Sequence, residues 1–143
     1  MSHSKEKEAK QFLEHISEKD SVVVLHHDDL DGFASGMLFY DYCKKKTKNV
    51  GHIPFSYSDD QQNVLKQCKK YNTIIITDLG PGAIPEVLQG LGKKKVLYVD
   101  HHQKEMEIPK HIVEYRTLDQ GYIPCSRTAY ELCGGKYLSL IHI

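Results

Sequence analysis

The 143-residue chain lacks tryptophan, a surplus of charge of either sign, and any long apolar run. Basic and acidic side chains number 19 each, so no strong overall field directs the chain to nucleic acid or to an anionic membrane. No stretch approaches the ~18 consecutive apolar residues of a membrane-spanning helix. The polar first ten residues contain no apolar core of a secretion signal. We therefore expect a soluble, cytoplasmic protein without membrane contact.

Closely spaced cysteine pairs are also lacking. The chain has no C-x-x-C pair, which excludes a zinc ribbon and predicts free thiols. Its length and its 40% apolar content fit one domain with a buried core. The cysteines are Cys43, Cys68, Cys125 and Cys133.

Five short apolar segments predict the strands. The most continuous of them are rich in β-branched residues and too short for helices, which is typical of buried parallel strands. The predicted strands are 21–25, 51–55, 73–77, 95–99 and 112–115. Segments with helical periodicity lie before, between and after them, at 6–19, 33–46, 61–71, 84–90 and 126–133. This alternation predicts an α/β domain with a mostly parallel sheet of about five strands flanked by helices.

Acidic and histidine side chains follow three of the predicted strands. Ligands of parallel sheets bind beyond the carboxyl ends of the strands, so the three segments are expected to meet at one edge. Crowded carboxylates repel one another unless a cation or a proton neutralises them. This edge therefore predicts a metal site. Its candidate residues are His27, Asp29, Asp31, Asp78, Asp100, His101 and His102.

The donor types indicate which metal this edge would bind. Oxygen and imidazole ligands favour Mn²⁺, with Mg²⁺ or Fe²⁺ as alternatives, over thiolate-loving ions, and no cysteine accompanies the cluster. In an extended segment, the alternate spacing of His27, Asp29 and Asp31 would turn the three side chains the same way. Asp78 could bridge two ions. We expect Mn²⁺ as the first choice.

Each motif also has a purely structural explanation. Asp28, Asp29 and Asp31 precede a predicted helix, where aspartates commonly cap the first turn or interact with the helix dipole. Asp78 precedes a Gly-Pro-Gly segment and could form a turn, while the paired histidines could serve packing. These explanations need three coincidences on one edge, so the metal site is the stronger interpretation. The remaining histidines that we interpret as structural are His3, His15, His52 and His111.

These motifs, in this order, resemble those of the DHH phosphoesterase superfamily. The first motif is similar to His27-Asp28-Asp29-Leu30-Asp31-Gly32, the second to Thr77-Asp78-Leu79-Gly80, and the third, which names the family, to Asp100-His101-His102. The resemblance covers residues 21–135. Known members include RecJ-like single-strand exonucleases, nanoRNA and cyclic-dinucleotide phosphodiesterases, and family II inorganic pyrophosphatases.

The resemblance implies a role for each candidate. The implied ligands of one or two divalent cations, Mn²⁺ or Mg²⁺, are His27, Asp29, Asp31, Asp78 and His101. Asp78 would lie between the two ions, His102 would face the scissile phosphate, and Asp100 would orient a histidine. The implied reaction is in-line attack by metal-activated water on a phosphodiester bond.

Two departures from the family pattern bear on the expected substrate and on how much of the family's catalytic unit these residues contain. Pyrophosphatase-like members carry another aspartate where this chain has Phe33, which favours the RecJ-like branch. The expected substrates are then single-stranded nucleic acid, oligonucleotides or cyclic dinucleotides. A fourth Asp-bearing motif and a substrate-binding domain in cis are not found in these residues, and Asp119 is a poor substitute. We expect the fragment alone to lack full activity.

Two alternatives remain open. One is a non-catalytic module that uses the fold to bind a metal or nucleotide, and the other is an inorganic pyrophosphatase-like hydrolase. The final residues 138–143 can be back-translated as CTGTCTCTTATACACATC, which matches a transposon adapter used in sequencing libraries. We therefore expect an incomplete DHH domain over 1–137 and a non-native tail over 138–143.

Overall fold

The computed structural model describes residues 2–102, 106–117 and 123–135, and its strands form one sheet. The strand order is β2-β1-β3-β4-β5, and every neighbouring pair is parallel. The predicted α/β class and five-stranded parallel sheet are thereby confirmed. The strands are β1 (Ser21–His27), β2 (Asn49–Phe55), β3 (Thr73–Thr77), β4 (Lys95–Asp100) and β5 (Val113–Arg116).

Helices cover both faces of this sheet. Among the described residues, no helix is long and apolar enough to span a bilayer. The helices are α1 (Ser2–Glu14), α2 (Leu30–Lys44), α3 (Gln61–Cys68), α4 (Pro85–Gly90) and α5 (Cys125–Leu132), with a 3-10 turn at Pro81–Ala83. Asp119 and the expected tail over 138–143 lie outside the described residues.

The strands separate two apolar cores. Successive side chains of a strand point to opposite faces, so Val23 of β1 packs with α3 and α4, whereas Val22 packs with α1, α2 and α5. Because both faces of β1, β3 and β4 are covered, these strands are apolar along nearly their whole length. This explains the continuous β-branched runs in the sequence.

Four predicted helix boundaries are wrong by three to five residues. α1 begins at Ser2 rather than at residue 6, and α3 ends at Cys68 rather than at residue 71. The other two boundaries have a local cause. α1 ends at Glu14 rather than at residue 19, and the Ser17 amide instead donates to Asp20 Oδ2 (2.9 Å), which closes a turn before β1. α2 begins at Leu30 rather than at Phe33. Both differences follow from side-chain caps, which the apolar periodicity does not report.

The strand order reverses direction at the centre of the sheet. β2 lies on one side of β1 and β3 on the other, so the connections that leave these strands diverge and open a crevice beyond their carboxyl ends. β1 ends at His27, and Asp78 follows β3. The fold therefore places two of the candidate residues at the position where open α/β sheets bind their ligands.

Candidate metal centre at the carboxyl edge of the sheet

The seven candidate residues lie at one edge of the sheet. β1 runs through His27 and β4 through Asp100, so both are the last residues of their strands rather than the first residues of loops. β1 is thus two residues longer than predicted and β4 one residue longer. The candidate residues still lie at the predicted edge of the sheet. The residues brought together are the carboxylates Asp29, Asp31, Asp78 and Asp100 and the imidazoles His27, His101 and His102.

Asp78 is the central carboxylate. Its φ of 63° is a left-handed conformation that Asp and Asn tolerate better than most side chains. The residue is 2% exposed; its Oδ1 lies 3.0 Å from His101 Nε2, and its Oδ2 has no hydrogen-bond partner. Burial, followed by the carboxylates of Asp29 and Asp31, raises the pKa of Asp78 to about 8. A buried carboxyl oxygen without a partner fits a bound cation.

A first donor group forms where β1 meets α2. His27 Nδ1 lies 3.0 Å from Asp29 Oδ2 and 3.9 Å from Asp78 Oδ2. Asp29 also caps α2, since its Oδ1 accepts the Gly32 amide (2.8 Å). Partial burial raises the pKa of Asp29, but interactions with Gly32, Asp78 and His27 outweigh it and lower the net pKa. The cap explanation is thus correct for Asp29, whose second oxygen faces the donor group.

A second donor group shares Asp78 with the first. His101 Nε2 lies 3.0 Å from Asp78 Oδ1 and 3.9 Å from Asp31 Oδ2. Donor atoms of these three residues and of Cys125 all lie within 4.8 Å of one another. Asp31 occupies the first turn of α2, so the segment 27–31 does not stay extended, and the condition under which its three side chains would point the same way is not met. The shared Asp78 remains suited to a position between two ions.

Cys125 enters the second donor group through α5. Asp31 Oδ2 accepts the Cys125 amide and Oδ1 accepts the Ser126 amide, each at 2.9 Å, and these bonds anchor the beginning of α5. The expectation that no cysteine accompanies the cluster is therefore wrong. The two residues are 94 positions apart in the sequence, and only the fold brings them together. Burial, followed by the carboxylate of Asp78, raises the pKa of the Cys125 thiol.

His102 is held by a buried ion pair. Its Nδ1 lies 2.6 Å from Asp100 Oδ1, and its amide donates to Asp100 Oδ2 (3.1 Å). Arg116 donates from Nη2 to Asp100 Oδ2 (3.3 Å) and from Nη1 to the His102 carbonyl (3.0 Å). Sequence reasoning missed Arg116. A signal was present, because this arginine follows the last predicted strand in a chain whose other basic residues are lysines apart from Arg127.

The comparison of sequences decides the family. Residues 21–141 match the DHH family, N-terminal domain. The chain belongs to the DHH family. This confirms the resemblance carried by the three motifs. No curated protein sequence matches the chain.

Two solved structures share the fold of this DHH-family chain. The exonuclease RecJ bound to manganese is 16% identical with a TM-score of 0.71, and the alignment covers 90% of this chain and 36% of that one. RecJ in complex with Mn²⁺ from Thermus thermophilus is 17% identical with a TM-score of 0.67, with 90% and 20% covered. The chain therefore spans about a third and a fifth of the length of these two proteins.

Gly32, in the first motif of this DHH-family chain, packs directly against the backbone of β1. A Cβ at this position would lie 2.3 Å from the His27 carbonyl oxygen. We expect Gly32→Ala to destabilise the chain by about 1–3 kcal/mol, although alanine is favoured over glycine in helices. Thermal unfolding measures the change. Gly80→Ala is the matched control, since its Cβ would meet His102 at an ordinary 3.6 Å; equal stability of the two variants would contradict this expectation.

Proposed function

We propose that this chain forms the metal-binding part of a phosphodiesterase that acts on single-stranded nucleic acid or oligonucleotides. The observation that carries the proposal is the position of Asp78. Among the described residues it belongs to three groups of possible metal ligands, the two donor groups above and a third with Asp100, His101 and His102. It also keeps one buried oxygen without a hydrogen-bond partner. Two cation positions that share one carboxylate suit in-line displacement at phosphorus, because the entering and leaving oxygens are both stabilised.

The donor atoms favour Mn²⁺, with Mg²⁺ as the alternative. Carboxylate oxygens and imidazole nitrogens dominate both groups, and both RecJ structures were obtained with manganese. Two ligand sets would hold the ions, His27 with Asp29 and Asp78, and Asp31 with Asp78 and His101. When bound, the ions supply Lewis acidity toward phosphate oxygens and lower the pKa of water.

His102 is the side chain that we assign to the substrate phosphate. Because Asp100 accepts the Nδ1 proton at 2.6 Å, the ring is fixed in orientation and its Nε2 is left for another partner. The His102 side chain is 40% exposed and thus accessible to a substrate. In this assignment, Asp100 orients the His102 ring and Arg116 holds Asp100.

Aromatic rings beside the first donor group favour a substrate that carries bases. Phe33 is 49% exposed and Tyr57 is 55% exposed, which is unusual for rings of this size. The Tyr57 ring centroid lies 4.6 Å from that of His27, and the Phe33 centroid lies 5.8 Å from that of His26. Nucleobases stack on such rings regardless of their sequence. Inorganic pyrophosphate would gain nothing from them.

The proposed function also includes a cytoplasmic location and a substrate-binding domain in the same polypeptide. All four cysteines are free and buried, as is usual for proteins of the reducing cytoplasm. Because the chain spans only part of the two RecJ proteins, we include a substrate-binding domain in cis. Activity is therefore best measured on the longest natural polypeptide that contains residues 1–137.

Hydrolysis of a labelled single-stranded oligonucleotide tests the proposed activity. We expect Mn²⁺-dependent release of short products, which stops when a chelator is added. Cleavage of pyrophosphate but not of oligonucleotide would replace the proposal with a pyrophosphatase. Mn²⁺ binding without either reaction would identify a non-catalytic module.

Tyr57→Ala tests the contribution of base stacking. The loss of one stacking ring costs about 1–3 kcal/mol per base, so we expect KM for the oligonucleotide to rise about 5- to 150-fold while kcat changes little. Tyr57→Phe should retain the wild-type KM. An abasic oligonucleotide of the same length is the matched control, because it should show no difference between the two variants. An equal rise in KM for both substrates, or a parallel loss of Mn²⁺ affinity, would contradict stacking.

A further inference from the structure

The four cysteines occupy different surroundings. Cys43 and Cys133 belong to the apolar core on one face of the sheet, and Cys68 belongs to the core on the other face. Cys125 is 1% exposed, yet it belongs to neither core within the part of the chain that the structure describes. Its sulfur faces two carboxylates and an imidazole instead. Apolar packing therefore does not explain why this thiol is buried.

The atoms around the Cys125 sulfur are spaced for a small cation. Donor atoms of Asp31, Asp78, His101 and Cys125 lie within 4.8 Å of one another, and the His101 nitrogen is 3.0 Å from Asp78 and 3.9 Å from Asp31. A tetrahedral zinc ion holds its ligand atoms about 3.5 Å apart. A closing movement of roughly 1 Å would suffice.

Two further observations describe how the donor atoms are held. Asp78 is 2% exposed, and its Oδ1 lies 3.0 Å from His101 Nε2, whereas the oxygen without a hydrogen-bond partner, Oδ2, is the one that lies 3.9 Å from His27 Nδ1. Cys125 is fixed through its own backbone, because its amide donates to Asp31 Oδ2 at 2.9 Å. A thiol held in this way is preorganised for coordination.

We propose that Asp31, Asp78, His101 and Cys125 form a thiophilic site that binds Zn²⁺ or Cd²⁺ in competition with Mn²⁺. Mn²⁺ uses the oxygen and nitrogen donors, whereas a softer ion also gains the sulfur. As the sulfur–metal bond forms, the thiol proton passes to water and no electron is transferred. This inference rests on the metal centre of the proposed function and is independent of hydrolysis.

Titration with Cd²⁺ under ultraviolet absorption tests the site in the chain as it is. We expect a thiolate-to-metal charge-transfer band in the wild type and none in Cys125→Ser. Calorimetry should show Cd²⁺ affinity falling by at least about tenfold in this variant, while Mn²⁺ affinity stays within about threefold. Cys133→Ser, at the other end of α5, is the matched control and should keep the band, since its thiol lies in the apolar core and donates to the Leu38 carbonyl.

The outcomes separate this inference from the proposed function. Cd²⁺ binding without the band, or with equal affinity in Cys125→Ser, would overturn the thiophilic site and leave the Mn²⁺ centre intact. The absence of binding for both ions would overturn both. If circular dichroism shows that Cys125→Ser is unfolded, cadmium-113 NMR of the wild type decides, because a resonance in the oxygen and nitrogen range contradicts a sulfur ligand and one in the sulfur range supports it.

Discussion

Replacing Asp78 with asparagine is expected to abolish high-affinity Mn²⁺ binding without unfolding the chain. Asparagine accepts the left-handed backbone at this position, whereas alanine would be strained there. Loss of an indirect partner of a metal ligand already costs about 10- to 100-fold in affinity. We therefore expect loss of the shared ligand to weaken Mn²⁺ binding by more than about 100-fold, as measured by calorimetric titration.

Asp28→Asn is the control for this titration. It removes the same charge from the same edge, and Asp28 belongs to neither donor group among the described residues. Its half-exposed side chain lies 3.5 Å from His27 Nε2. Mn²⁺ affinity should stay within a few-fold of the wild type. Similar losses in the two variants would indicate a general effect of charge rather than ligation by Asp78.

The same Asp78→Asn substitution is expected to stabilise the metal-free chain at neutral pH. Because the pKa of Asp78 is about 8 in the fold and 3.8 in a model peptide, the folded chain binds more protons than the unfolded chain between these values. The free energy of unfolding therefore falls as the pH rises from about 4 to about 8. At pH 7 this cost is on the order of 4 kcal/mol, and the asparagine amide does not incur it. Urea unfolding with chelator should show equal stabilities near pH 4 and a widening gap toward pH 8; a constant gap would contradict the assignment.

Replacing Arg116 with methionine is expected to cost the chain about 3–5 kcal/mol of stability. The Arg116 side chain is 7% exposed, and Asp100 is fully buried. The guanidinium carbon also lies 5.5 Å from the centroid of the Tyr98 ring. Without the guanidinium, the buried Asp100 carboxylate keeps His102 as a partner but loses the positive charge that compensates it. An uncompensated buried charge costs more stability than the intact Asp100–Arg116 pair contributes. Urea unfolding measures the loss.

Two further variants show whether the loss of stability comes from the uncompensated charge of Asp100. Arg127→Met removes the other arginine of the chain, whose side chain is 67% exposed and lies 3.9 Å from Glu131; we expect a change below about 0.5 kcal/mol. The double variant Asp100→Asn with Arg116→Met removes both buried charges and should recover much of the lost stability. Equal losses in the single and double variants would show that packing, and not the uncompensated charge, is responsible.

The fold was predictable where burial leaves a continuous pattern. The segment 73–77 is β-branched throughout because both of its faces are covered, and its boundaries were predicted correctly. Element ends were less predictable, since the end of α1 is followed by a turn in which Asp20 accepts the Ser17 amide. Such single hydrogen bonds change a boundary without changing apolar periodicity.

The residues of the candidate site likewise fall into those that the sequence indicated and those that it did not. Its seven residues could be found because they follow strands whose carboxyl ends share one edge. Sequence reasoning missed two further residues. Cys125 reaches the centre only through the docking of α5 on Asp31, and Arg116 through the pairing of β5 with β4, which sets it opposite Asp100. The roles assigned to the seven residues stay predictions, and the Mn²⁺ titration above tests the role of Asp78.

The anchoring of α5 by Asp31 links the candidate metal centre to the last described helix. One carboxylate accepts the amides of Cys125 and Ser126 and also offers an oxygen to the second donor group. A ligand that draws this carboxylate toward itself acts on the same bonds that hold α5 in place, so cation occupancy and local opening of α5 are thermodynamically linked. Hydrogen–deuterium exchange at these two amides thus becomes an internal reporter of the state of the centre.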